Sequence, residues 1–258
     1  MEGHERMASA LVSARRDRVP IPPLTEAEPA MTALDAYRIQ QLVVGERMQD
    51  EGPVVGYKVG LTSKAMQDLL GIDTPDYGPV LRSMLVEGDA TLRLSELIQP
   101  RVEAEIAFLL SAPLQGPGVS ANDVMTATVG VMAAIEVIDS RIADWRIRLA
   151  DTIADLASSA AVVTSGHPVP LDGLRLEDVE VVMHDDGEPV SRGVGAAVLG
   201  HPAEAVAWLA NTLGELGVVL EAGHVVMPGA MHAAVTAQAG HRYRAEFDRL
   251  GAVDVAFE

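Results

Sequence analysis

The sequence predicts an α+β fold, and three patterns carry the prediction. Residues 5–18 are charged and alanine-rich, as suits a helix, and apolar residues recur at helical spacing from Thr32 to about Gln49. From about residue 85 onward, short runs with period-two alternation dominate, as half-buried strands require. One strongly amphipathic helical stretch, Pro202 to Leu216, stands inside that β-rich part and ends at Gly217. The change of texture divides the chain into residues 1–84, a helical and α/β part, and residues 85–258, rich in strands.

The elements follow in order. The first helix stops before Val19-Pro20-Ile21-Pro22-Pro23, because prolines lack amide donors and hold the chain extended. Thr32 is placed as the N-cap of the second helix, whose apolar stripe is Leu34, Tyr37, Ile39, Leu42 and Val43. Pro53 to Leu61 reads as a strand with Val55, Tyr57, Val59 and Leu61 on one face and Val54, Gly56, Lys58 and Gly60 on the other. A lysine between two same-face glycines has room around its ammonium, although a snorkelling surface lysine fits the same pattern. A short helix from Thr62 or Ser63 to Gly71 follows, then a turn-rich loop, Asp73 to Pro79. Asp76 in that loop is either a catalytic carboxylate or a turn former bonded to its own backbone. Ser120 caps another helix, Asp151 to Ala160 reads as a small-residue helix suited to close packing, and Ser140 to Leu149 reads as a solvated or interface-forming segment. Further strands are expected at Ala161 to Val163, Val218 to Leu220, Gly223 to Met227, Tyr243 to Asp248 and Ala252 to Phe257. A hairpin turning at Asp185-Asp186-Gly187 joins Val179–Met183 to Pro189-Val190.

The chemistry centres on Arg101 to Leu110. Val102, Ala104, Ile106 and Phe108 form one apolar face of this strand, and Glu103 and Glu105 share the other. Same-face neighbours on a strand sit about 7 Å apart, so two carboxylates there repel and lose solvation unless a positive charge lies between them. A hard divalent cation resolves both problems; a wet edge strand also fits this pair taken alone. Glu136 stands on one face with Ala134 and Ile138 in an otherwise apolar strand, Val129 to Asp139, where an unpaired carboxylate is costly. A third inward carboxylate favours the metal.

Composition narrows the partners. Of 258 residues, 48% are hydrophobic, enough for a sizeable core. A formal net charge of −18 argues against nucleic acid and anionic membrane as partners, though not against a small acidic substrate beside a local cation. Cysteine is absent, which excludes disulfides, thiolate nucleophiles and Cys-ligated zinc and fits a reducing cytoplasm. No apolar run approaches the ~18 residues of a transmembrane helix, and there is no phosphate loop or dinucleotide fingerprint.

Five motifs in order carry a resemblance: Gly56-Tyr57-Lys58-Val59-Gly60-Leu61-Thr62-Ser63-Lys64, Pro75-Asp76-Tyr77-Gly78, Pro100-Arg101-Val102-Glu103-Ala104-Glu105, Ile135-Glu136-Val137-Ile138-Asp139 and Asp151-Thr152-Ile153-Ala154-Asp155. Together they resemble the 2-hydroxypenta-2,4-dienoate (2-keto-4-pentenoate) hydratase and 4-oxalocrotonate decarboxylase group of the fumarylacetoacetate hydrolase superfamily, from about Asp35 to the C-terminus. The resemblance implies a small N-terminal α/β part and a mixed β-roll or sandwich catalytic domain over 85–258. It also implies a cytoplasmic homo-oligomer and a place in aromatic catabolism. It implies Mg²⁺ or Mn²⁺ held by Glu103, Glu105 and Glu136, with Lys58 and Asp76 as catalytic residues. The substrate implied is a 2-oxo or 2-hydroxy carboxylate, chelated by the metal as Lewis acid, and Lys58 is expected to have a lowered pKa beside the cation. Such a site serves hydration of a dienoate or decarboxylation of a 2-oxo acid.

Two departures from the group stand out. Its usual Asp-Asn is Asp155-Leu156 here, and its Ser/Gly-x-Thr-polar segment is replaced by Pro228-Gly229-Ala230-Met231-His232-Ala233-Ala234. Leu61, Asp155, Leu156 and His232 are therefore expected around the substrate pocket. A more apolar pocket opens a further alternative, a repurposed isomerase, C–C hydrolase or biosynthetic enzyme for a larger apolar substrate; ordinary drift fits the same changes.

Overall fold

A computed structural model of the protein describes residues 2–63, 67, 72 and 74–258. The chain opens with helices α1 (Glu2–Asp17), α2 (Leu24–Ala27) and α3 (Ala33–Glu51). Thr32 caps α3 in a reciprocal box with Asp35. Strands β1 (Val54–Gly60), β2 (Asp76–Leu81), β3 (Leu85–Glu87), β4 (Ala90–Leu92) and β5 (Arg101–Leu110) follow, then α4 (Ala121–Thr126), β6 (Thr128–Ile138), α5 (Leu149–Ala154) and β7 (Ser159–Thr164). The rest is β8 (Glu180–Asp185), β9 (Glu188–Val194), α6 (Pro202–Glu215), β10 (Val225–Met227), β11 (Val235–Thr236), β12 (Arg242–Phe247) and β13 (Gly251–Phe257). The helix expected from Thr62 to Gly71 and the loop start at Asp73 fall largely outside the described residues.

Among the described residues, one mixed sheet runs β2-β1-β10-β5-β6-β7-β3, with β11 also on β5, and a second runs β4-β13-β12-β8-β9. The even-numbered face of β5 turns towards the second sheet. Val102, Ala104, Ile106 and Phe108 are fully buried there in one cluster with Tyr243, Val255 and Phe257. The opposite face of the first sheet carries Glu103 and Glu105, then Ala107 and Leu109 against Met132, Val225 and Met227. Strands from both sides of residue 84 share this sheet, so β1 and β2 bring Lys58 and Asp76 to the strands that carry the glutamates. Beyond that face, α1, α3 and α5 enclose a separate helical core of Leu11, Ile39, Val43, Ile142, Ile153 and Leu156.

Three expectations need correction, the first being the loop expected at Asp73 to Pro79, because Asp76 to Pro79 pair with β1 as part of strand β2. Val218 to Leu220 is not a strand; Leu220 makes an isolated bridge to Leu114, because Gly217 at φ 72° and the turn at Gly223 leave too little extended chain. The proline run is extended as expected and leads directly into α2, whose Thr25 donates through its amide (2.9 Å) and hydroxyl (2.7 Å) to Asp151 and ties the N-terminal arm to α5. Finally, Ser140, Arg141 and Ile142 are buried rather than solvated, because Arg141 finds an internal carboxylate. No described helix is long and apolar enough to cross a membrane.

Candidate active site

The β5–β6 register sets the centre of the site. Glu103 stands directly opposite Glu136, and Glu105 opposite Ala134. Each of Glu103, Glu105 and Glu136 offers an oxygen within 4.8 Å of the others. Like charges placed opposite each other in a ladder destabilise it. Burial, followed by the charge of Glu136, pushes the Glu103 carboxyl up to about 7, and the same two causes raise Glu105 well above the carboxylate range. Glu105 Oε2 accepts from the Gly229 amide at 2.8 Å, but Glu105 Oε1, both oxygens of Glu136 and Asp76 Oδ1 are buried with no hydrogen-bond partner. Buried carboxylate oxygens are rarely left so. Convergent hard oxygens that, among the described residues, lack hydrogen-bond donors at four of their atoms suit a hard divalent cation, so the residues present fit one.

Lys58 lies over this cradle. Its Nζ is 3.3 Å from Glu136 Oε2 and donates to the Ala157 carbonyl at 3.0 Å. Burial lowers its pKa, but with no cation in the cradle Glu136, Asp76, Glu103 and Glu105 outweigh burial and raise it. Asp76 reaches the site because β2 pairs antiparallel with β1, setting Gly60 opposite Asp76 and Lys58 opposite Gly78. Its Oδ2 accepts from the Thr152 hydroxyl at 3.1 Å. Burial raises its pKa against the pull of Lys58. The two glycines beside Lys58 serve different ends. A Cβ on Gly60 would sit 2.2 Å from Asp76 Oδ1 and 3.4 Å from Lys58 Nζ, so this glycine does clear the site. A Cβ on Gly56 would meet the Val225 carbonyl at 1.9 Å, so that glycine admits the parallel strand β10.

The carbonyl that receives Lys58 belongs to an unusual turn. Leu156, Ala157 and Ser158 all have positive φ, at 55°, 48° and 56°. For L-residues this region costs about 1–2 kcal/mol each, so the turn persists only because its surroundings impose it. Asp155 and Arg141 form a buried ion pair at its base: the Asp155 carboxylate also accepts from the Arg141 amide at 3.0 Å, and Arg141 donates to the carbonyls of Asp139, Asp155 and Ser159. Two sequence expectations change here. Asp155 lies behind the cavity wall as the partner of Arg141, and Leu156 is 1% exposed in the helical core, facing away from the cavity.

The cavity holds about 450 Å³. Lys58, Asp76, Glu103 and Thr152 line one end, together with Leu61. His232 and Ala230, Ala233 and Ala234 also line the cavity. His232 Nε2 accepts from the Ala104 amide at 3.2 Å while Nδ1 lies 2.8 Å from the Ala233 carbonyl, so the ring is a neutral Nδ1–H tautomer, and burial lowers its pKa. The remaining wall includes Ile138, Ile147 and Arg101, whose guanidinium stacks 4.4 Å from the Trp145 ring centroid.

Sequence reasoning missed Arg141, Thr152, Trp145 and the Ala157 carbonyl. Their signal was weak: the segment from Ser140 to Leu149 mixes charges like any surface stretch, and a backbone carbonyl has no letter of its own.

Known proteins resemble this chain in sequence and fold. The fumarylacetoacetate hydrolase C-terminal family pattern matches residues 74–257. The 2-keto-4-pentenoate hydratase of Burkholderia vietnamiensis is 44% identical over 251 residues, covering 97% of this chain and 96% of that protein. The 2-hydroxyhexa-2,4-dienoate hydratase of Comamonas testosteroni is 42% identical over 255 residues, covering 98% and 95%. Among solved structures, 4-oxalocrotonate decarboxylase from Pseudomonas putida G7, complexed with magnesium and adipate, superposes with a TM-score of 0.95 at 37% identity, covering 100% of this chain and 98% of that one. With its ordered motifs, its two-sheet architecture and relatives matched along almost their whole length, the chain belongs to the fumarylacetoacetate hydrolase family.

Proposed function

We propose that the protein is a divalent-metal-dependent lyase that hydrates a 2-hydroxy-2,4-dienoate to a 4-hydroxy-2-oxo acid. The observation that carries this reading is the carboxylate cradle of Glu103, Glu105 and Glu136, with its unpartnered oxygens facing Lys58. Glu103, Glu105 and Glu136 would hold Mg²⁺ or Mn²⁺, which would supply Lewis acidity to the substrate's carboxylate and adjacent oxygen. Lys58 and Asp76 hold the protons. Hydration delivers a proton to the far carbon of the dienol as the enol O–H loses one, then adds water to the resulting enone, with one proton leaving the water and one arriving at the carbon next to the carbonyl. Lys58 Nζ, buried and charged, and the Asp76 carboxyl, whose pKa burial raises, are the exchanging groups at that end of the cavity. Thr152 fixes Asp76, and Gly60 gives it room. In this reading residues 1–84 contribute the proton-handling pair and residues 85–258 the metal ligands, within a cytoplasmic homo-oligomer.

The test is ultraviolet loss of 2-hydroxypenta-2,4-dienoate by purified protein with Mg²⁺ or Mn²⁺. Chelator should abolish it and added metal restore it. An active Glu103→Gln variant, or turnover indifferent to chelator, would sink the proposal. Decarboxylation is the second reading, favoured by the superposition on the Pseudomonas putida decarboxylase. Release of CO₂ from 4-oxalocrotonate at a rate above dienoate hydration would select it. A larger apolar substrate retains support from the alanines at 230, 233 and 234 on the cavity wall and loses that of Leu156.

A further inference from the structure

Lys58 is oriented by a backbone carbonyl on a strained turn, and that turn is gripped from three sides. Arg141 and Asp155 clamp its base through the Asp155 carboxylate and the carbonyls of Asp139, Asp155 and Ser159. Leu156 plugs its first residue into the helical core beside Ile39 and Ile153. Gly78, opposite Lys58 in the β1–β2 ladder, lies against its backbone so closely that a Cβ there would come within 2.3 Å of the Leu156 carbonyl oxygen. Three successive left-handed residues, Leu156 to Ser158, place the Ala157 carbonyl 3.0 Å from Lys58 Nζ. None of Arg141, Asp155, Leu156 or Gly78 lines the cavity.

We propose that Leu156 and Gly78 are positioning residues: they hold the left-handed turn so that its Ala157 carbonyl fixes the ammonium of Lys58 over the carboxylate cradle. The helical layer thereby acts on the reaction without touching substrate. A free lysine side chain samples many rotamers, and a buried ammonium among four carboxylates has several places to go. One fixed carbonyl acceptor selects among them. The turn's strain is explained by this role, since a relaxed turn would carry the carbonyl elsewhere.

The kinetic arm of the test rests on the lyase reading; a spectroscopic arm does not. The chain contains only two lysines, Lys58 and Lys64. Labelling with ¹⁵Nζ-lysine therefore gives two ammonium signals in the full-length protein, and Lys64→Arg identifies that of Lys58. Leu156→Ala loosens the plug, Gly78→Ala wedges the turn, and Leu156→Met keeps the plug's volume as a control. We expect the Lys58 signal to move in the first two variants, with its proton exchange faster by about tenfold and kcat lower by about tenfold while KM stays within about twofold, as for a displaced group that acts only in the reaction. Leu156→Met should match the parent. Circular dichroism confirms the fold of each variant, and either Leu156→Ala or Gly78→Ala is sufficient to decide. An unmoved Lys58 signal in a folded variant overturns the proposal, and so does a moved signal with unchanged kcat. If the parent hydrates no dienoate, the lyase reading fails on that result, and the Lys58 signal alone decides whether the turn positions it.

Discussion

Glu103 and Glu136 face each other across the β5–β6 ladder, and neither oxygen of Glu136 accepts a hydrogen bond. Such a pair destabilises the metal-free protein and is relieved by a cation. Adding Mg²⁺ or Mn²⁺ should raise the melting temperature, and Glu105→Gln should abolish that rise. Glu105→Gln should also stabilise the metal-free protein by about 1 kcal/mol at neutral pH, because a carboxyl whose pKa is raised by burial and Glu136 must either take up a proton or stay charged in the interior, and the amide does neither. Thermal melts with and without metal check both statements.

Gly60 is predicted to be irreplaceable by alanine for a reason local to the site. The added methyl would overlap Asp76 Oδ1, 2.2 Å away, and displace it from Thr152. Turnover should fall by about 10–100-fold, in keeping with the cost of a misplaced catalytic group. Gly45, in α3 with open space around it, is the control: Gly45→Ala should leave turnover intact and add about 0.5–1 kcal/mol of stability through helix propensity. Steady-state rates and urea melts of the two variants provide the comparison.

Arg141→Met should cost about 3–5 kcal/mol, since it strands the Asp155 carboxylate in the interior. Adding Asp155→Leu should recover much of that loss, as replacing both partners removes the buried charge. A double-mutant cycle by chemical denaturation measures the coupling. Equal losses in the single and double variants would refute the pairing argument.

His232→Ala should destabilise by about 1–3 kcal/mol, because the Ala104 amide, buried between two of the clustered glutamates, loses its acceptor. His232→Gln, which can present an oxygen to the same amide, should recover part of it. Chemical denaturation of the two variants ranks them.

At the far hairpin, His241 Nδ1 lies 2.7 Å from Asp185, and that hydrogen bond raises the histidine's pKa above its ordinary value. A raised folded-state pKa means that the bond's contribution is complete below the unfolded-state pKa and is lost as pH rises through the folded one. Asp185→Asn should lower the His241 midpoint in an NMR titration.

The α+β class, the two long N-terminal helices, the hairpin and most strands were legible because their signals are periodic and local, as in Val102, Ala104, Ile106 and Phe108 against Glu103 and Glu105. The three glutamates and Lys58 were legible because a charge on an apolar face is conspicuous in one dimension. The sequence by itself thus determined which residues gather, through alternation and through the cost of burying charge. Only the tertiary structure decided what lies behind them. Leu156 was read as a pocket residue and sits in the helical core; Arg141 was read as surface and is the buried partner of Asp155. The direction in which a side chain points from a turn depends on φ values that run left-handed at Leu156, Ala157 and Ser158. Those values are imposed by packing from α3, β2 and Arg141, which come from three distant parts of the chain, and no local pattern encodes them.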